Sequence, residues 1–111
     1  MANAITHNLF IEQGEDYGIQ ITALDLFSAP IDITDAVIKA QISYHPQWDA
    51  LATFSVDLID PTNGVFVLAL TADQTRDIPE SSAYWDCFIK LGSLTYKAAQ
   101  GSCDIVLAIS K

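Results

Sequence analysis

Positive charge is scarce in this chain: five Lys plus Arg stand against fourteen Asp plus Glu in 111 residues, a formal charge of -9. Nucleic-acid binding depends on cationic side chains that displace counterions from phosphate, so this balance argues against that class of partner. An anionic membrane surface is repelled for the same reason, and no apolar run approaches the roughly 20 residues that cross a bilayer as a helix. The opening MANAITHN lacks a basic segment followed by an apolar one, so no secretory leader is expected. Cysteine is limited to Cys87 and Cys103, too few for a disulfide scaffold and outside any zinc-ligand spacing. Histidine is limited to His7 and His45, and no phosphate loop, HExxH, GxSxG or kinase signature occurs. The expectation is a non-enzymatic chain with no catalytic residue, no cofactor and no metal.

Half of the residues are apolar and only 17% are charged, enough for one core and too few residues for two, so residues 1–111 are read as a single domain. Apolar and polar residues alternate along much of the chain, and turn residues recur about every ten positions, the pattern of short antiparallel strands. Tyr17, Ile19, Ile21 and Ala23 share one face of the first long alternation. Ala36, Ile38, Ala40, Ile42 and Tyr44 share one face of the next, and Ala52, Phe54, Val56 and Leu58 follow after a hairpin loop HPQWDA. GVFVLAL is apolar almost throughout, which fits a central strand covered on both sides or an edge at an oligomer contact. Asp60 to Gly64 reads as a turn, with Pro61 fixing φ and Gly64 free to take positive φ. Thr71 and Gln74 form a capping box ahead of the one short helical turn expected.

In the last hairpin Ala83, Trp85, Cys87, Ile89 and Leu91 point inward, with the turn at Gly92-Ser93. Cys87 then faces a residue near Ala98 and lies too far from Cys103 for a disulfide, so both thiols should be reduced. The inward parity changes between Ala98 and Cys103, which requires a β-bulge; Gln100-Gly101 is the natural place, since glycine accepts unusual φ. Seven or eight strands with one helical turn make an all-β, two-sheet antiparallel β-sandwich of immunoglobulin-like size, with a small barrel as second choice.

Ile5, His7, Leu9 and Ile11 fall on one face of the first strand, which places His7 half-buried among apolar residues, with Phe10 on the opposite face. His45 lies in the hairpin loop, where a contact role is open to it. The carboxylates gather as Glu12, Glu15 and Asp16, then Asp32 and Asp35, then Asp57 and Asp60, none in the order of a calcium loop. They read as solvated surface, or as the complement of a basic docking surface on a partner. Phe10, Tyr84 and Phe88 oppose the inward residues of their strands, and Trp48 sits at a loop tip. These four aromatics are the interface candidates, and stacking of a carbohydrate on Trp48 is a further reading.

The stretches IEQGEDYGIQITALD, Pro30 to Thr34, AVIKAQI, DPTNGVFVLALTADQT and YWDCFIKLGSLTYKAAQGSCDIVL, taken in order, resemble small structural proteins of the tail, neck and baseplate of tailed bacteriophages. They are similar also to the N-terminal module of some phage baseplate and fibre proteins. The finer marks of that resemblance are Trp85-Asp86, Gly92, Lys97 and Gly101. It implies an immunoglobulin-like virion component made in the host cytoplasm, without catalytic residues. It would be present in many copies and bind other virion proteins and copies of itself, as a tail, neck or baseplate adaptor in fibre attachment. A capsid decoration or cement protein, or a receptor- or carbohydrate-binding module, are the alternatives.

Overall fold

The computed structural model describes residues 5–25, 27–44, 50–79 and 81–107. Two sheets face each other. The larger, six-stranded sheet runs β1 (Ile5–Thr6), β9 (Leu94–Val106), β8 (Ser81–Leu91), β4 (Val37–Ser43), β5 (Ala52–Thr53), and β2 (Leu9–Glu12) also pairs with β9. The smaller sheet runs β3 (Tyr17–Thr22), β7 (Val65–Leu70), β6 (Ser55–Asp60). This is the two-layer immunoglobulin-like sandwich that the alternation implies, with β1 and β2 parallel to β9 and the remaining pairings antiparallel.

The core is built from one parity of each strand. Ile21 of β3, Ala40 and Ile42 of β4, Phe66, Leu68 and Leu70 of β7, and Trp85, Cys87 and Ile89 of β8 are all buried. β7 is a central strand, but only its even residues enter the core. Val65, Val67 and Ala69 are half-buried on the outer side, flanked by Gln20 and Thr22 on β3 and Ser55 and Asp57 on β6. The predicted alternation over residues 52–58 divides between two sheets. Phe54 sits at the crossing, where its N–H donates to Ala40 O at 2.9 Å and its ring meets Trp85 edge-on at 6.2 Å. β6 bulges between Leu58 and Asp60, and Leu58, expected inward, is exposed.

The turn chemistry follows the expected positions. Pro61–Asn63 forms a 3-10 turn closed by Gly64 at φ 76°, a helical element beyond the one expected. The α-helical turn α1 (Ala72–Arg76) carries the full Thr71/Gln74 capping box. Of the gathered carboxylates Glu12 and Asp57 stand on strands, and several others, with Asp25, brace the chain near turns. Asp25 Oδ1 accepts from the N–H groups of Phe27 and Ala29, Asp60 accepts from Asn63 Nδ2, and Asp16 accepts from Ala72 N at the start of α1. Asp32 accepts from both the N–H and the hydroxyl of Thr34, and these bonds hold its carboxyl below the usual range.

The bulge in the last hairpin lies elsewhere than expected. Cys87 pairs with Ala99 and Phe88 with Lys97, so Ala98 is the extra residue, and both Ala98 and Ala99 are buried. Two small side chains fit inward at one level of the core, which two larger ones would not. Gly101 is special for another reason. It lies across from Trp85, and a Cβ there would run into the carbonyl of His7.

Cys87 and Cys103 are free and buried, and Cys103 pairs with Ala83 across the hairpin. Burial, helped by the adjacent Asp86 and Asp104 respectively, pushes each thiol from 9.0 up to about 12. Both thiols should therefore resist iodoacetamide in the folded chain at mildly alkaline pH and react on unfolding in guanidinium; rapid native labelling of either would contradict this. The folded chain also keeps protons that the unfolded chain releases. Stability is thus unaffected by the thiols below 9.0 and falls as pH rises from there toward about 12.

Candidate functional site

The outward parity of the larger sheet assembles a surface from strands distant in sequence. Pairing sets its rows: Phe10 opposite Asp104; Ser102, Tyr84 and Ser43; Gln100, Asp86 and Gln41; Lys97, Phe88 and Lys39; Thr95, Lys90 and Val37. Three of the four aromatic interface candidates therefore stand on one face. Phe10 is 67% exposed, Tyr84 55% and Phe88 39%, and Val37 at 67% joins them. From Tyr84 to Phe88 is about 13 Å along the strand at about 3.3 Å per residue, so the aromatics are spread over the face as separate anchors. Trp48 and His45 lie outside the described residues.

Between these anchors runs a groove of about 370 Å³, lined by Asn8, Gln41, Tyr84, Asp86, Lys97 and Gln100 among others. Lys97 organises its lower wall. The ammonium lies 5.5 Å from the centroid of the Phe88 ring and donates to Gln100 Oε1 at 3.0 Å. Asp86 is half-buried in the middle; desolvation raises its carboxyl pKa, and the nearby Lys97 charge partly opposes the rise. Gln41 donates to Thr53 Oγ1 at 3.3 Å on the far wall.

Charge divides unevenly over the molecule. Lys39, Lys90 and Lys97, three of the five cations in the chain, lie on this face with Glu12, Asp86 and Asp104. Most of the acidity read from composition lies elsewhere, so this face is balanced in charge and a basic docking surface is not its particular complement. Sequence reasoning missed Lys97 and Val37 as parts of the surface. The signal was present in their outward parity, but which strands stand side by side is a tertiary fact.

His7 departs from expectation. Its side chain is exposed because the β1–β2 ladder breaks there. The His7 N–H still donates to Gln100 O at 2.8 Å, yet its carbonyl leaves the ladder and accepts from Trp85 Nε1 at 2.7 Å. Asn8 Oδ1 takes the vacated donor, Ser102 N, at 3.2 Å. A buried indole needs an acceptor, and the edge strand supplies one by giving up a ladder bond. Among the described residues no three of His, Cys, Asp and Glu converge as metal ligands would.

No family model and no curated protein matches the chain. Solved structures do. A ZirS C-terminal domain superposes with a TM-score of 0.52 at 13% identity, covering 96% of this chain and 66% of that one, just under two thirds of its length. A Lin-41 filamin domain matches with a TM-score of 0.46 at 14% identity, covering 87% of this chain and 82% of the other. At such identities the likeness speaks to the fold.

Proposed function

We propose that this chain is a non-enzymatic structural module that works by protein–protein contact through the outer face of its larger sheet, and that it serves as a tail, neck or baseplate adaptor of a phage particle. The observation that carries the contact role is the gathering of Phe10, Tyr84 and Phe88, with Val37, on one outward face. Single exposed apolar residues are ordinary, but several on one face of a small domain, set among lysines and amides, form the pattern of anchors within a polar rim. The virion setting is supported by the order and spacing of the sequence stretches that resemble phage tail and baseplate proteins. Burial of these anchors drives docking. In a symmetric particle each copy repeats the contact, so a weak single interface holds through multivalency.

A glycan ligand is the second reading, favoured by the polar groove in which Asn8, Gln41, Asp86 and Gln100 surround the exposed Tyr84 ring. One variant separates the two. Phe10→Ser, Tyr84→Ser and Phe88→Ser together should leave the circular dichroism spectrum and melting temperature nearly unchanged, because all three side chains lie outside the core. Supplied in trans to particles lacking the native chain, the triple variant should fail to be incorporated. Normal incorporation would sink the docking role, and loss of binding on a glycan array alongside normal incorporation would favour the carbohydrate reading.

A further inference from the structure

A sandwich of two open sheets has edges, and an unprotected edge invites another strand. Three of the edges here are blunted. The β1–β2 edge is broken at His7 and Asn8, β5 is only two residues long, and β6 carries Asp57, Asp60 and a bulge between Leu58 and Asp60. The fourth edge, β3, is different: six residues in unbroken register with β7, with no charge, no proline and no bulge over Tyr17–Thr22.

The free side of β3 can be read from its bonds. Ala23 N donates to Gly64 O at 2.8 Å, which continues the antiparallel ladder to β7. By the alternation of such ladders the odd residues turn their amides to β7, and Gly18, Gln20 and Thr22 turn theirs away from it. Among the described residues, no strand pairs with that side. Beside it, in the gap between β3 and β1, lies an apolar groove of about 290 Å³ whose lining includes Ile5, Ile19, Ile21, Leu24, Trp85 and Ala99. A strand laid on β3 would pair its backbone with Gly18, Gln20 and Thr22 and send alternate side chains into that groove.

The ends of β3 select the occupant. Glu12, Glu15 and Asp16 precede it and Asp25 follows it. A second copy paired about Gln20 would set Glu15 against Asp25 twice over, like charge against like. The geometry points to an extended segment of a partner protein, apolar at alternate positions and cationic at both ends, added as a strand to the free edge of β3. This site is separate from the outer face of the larger sheet and does not depend on it.

The test is a nuclear magnetic resonance titration of the full nitrogen-labelled chain with the end-capped peptide Lys-Val-Thr-Val-Thr-Val-Lys. The amide signals of Gly18, Gln20 and Thr22 should shift and gain protection from hydrogen exchange. A peptide with Glu in place of both Lys should bind about tenfold more weakly at low salt. Gln20→Pro should fold, because proline is tolerated where an edge N–H faces away from its sheet, and should lose the binding. Absence of shifts, shifts confined to β6 or the outer face, or equal binding by the proline variant would each overturn the proposal. So would dimerisation through β3 that excludes the peptide. Should Gln20→Pro not fold, the map of protected amides in the unaltered chain decides.

Discussion

Replacing Gly101 with alanine is expected to cost about 3 kcal/mol of stability, the upper part of the range for forced overpacking. The added Cβ would meet the carbonyl of His7, a backbone group that cannot swing aside as a flexible side chain can. Relief requires β1 to move off β9, and that movement breaks the bonds from Trp85 Nε1 to His7 O and from His7 N to Gln100 O. The two effects share one carbonyl, so they should not add. Trp85→Phe alone should cost about 2–4 kcal/mol, by leaving the His7 carbonyl without its indole donor and by emptying part of the buried volume that the indole fills. In the Trp85→Phe background the alanine should cost less than in the native chain, because the strand is then free to shift. Chemical denaturation of the four proteins measures this cycle. Strict additivity would show that Gly101 and the indole bond are independent, contrary to the geometry.

Thr75→Val should destabilise the fold by about 2–4 kcal/mol, although the two side chains are nearly the same shape, because two partly buried backbone groups lose their partner. Thr75 is fully buried on α1. Its hydroxyl accepts from Gly14 N at 3.0 Å and donates to Glu15 O at 2.8 Å. Those bonds, with Gln13 Nε2 to Ile78 O at 2.8 Å and Ala72 N to Asp16 Oδ1 at 2.7 Å, fasten the turn between β2 and β3 to the helical turn sixty residues away. Thr75→Ser keeps the hydroxyl and should recover most of the loss in thermal or urea denaturation. An equal loss for serine and valine would mean that the methyl group, through packing, is what matters at this position.

Much of the sandwich was legible along the chain. Strand parity identified the inward sets of β3, β4 and β8, because a residue's side on a strand is fixed by its neighbours in sequence; β7 is apolar on both sides and offered no parity, so only the structure shows that its even residues enter the core. The Thr71/Gln74 capping box and the positive φ of Gly64 were equally local. The outward placement of Phe10, Tyr84 and Phe88 came from the same rule. The bulge position did not: it depends on how many side chains the opposing layer can take at that level, which put Ala98 and Ala99 there and left Gly101 to a different task. His7 failed for a related reason, since the need of a buried indole seventy-eight residues away outweighed the alternation of the first strand.

Alternation and turn chemistry by themselves determined that the chain folds as strands with a capped helical turn, and which residues of most strands face a core. They also marked the acids as surface groups, because a charge without a partner is costly to bury. Which strands lie side by side was decided only in three dimensions, since pairing joins residues that no local rule relates. That decision gathers three aromatics and three lysines on one face, places most of the acids elsewhere, and leaves β3 as the unguarded edge. Surfaces for contact exist only once strands have neighbours.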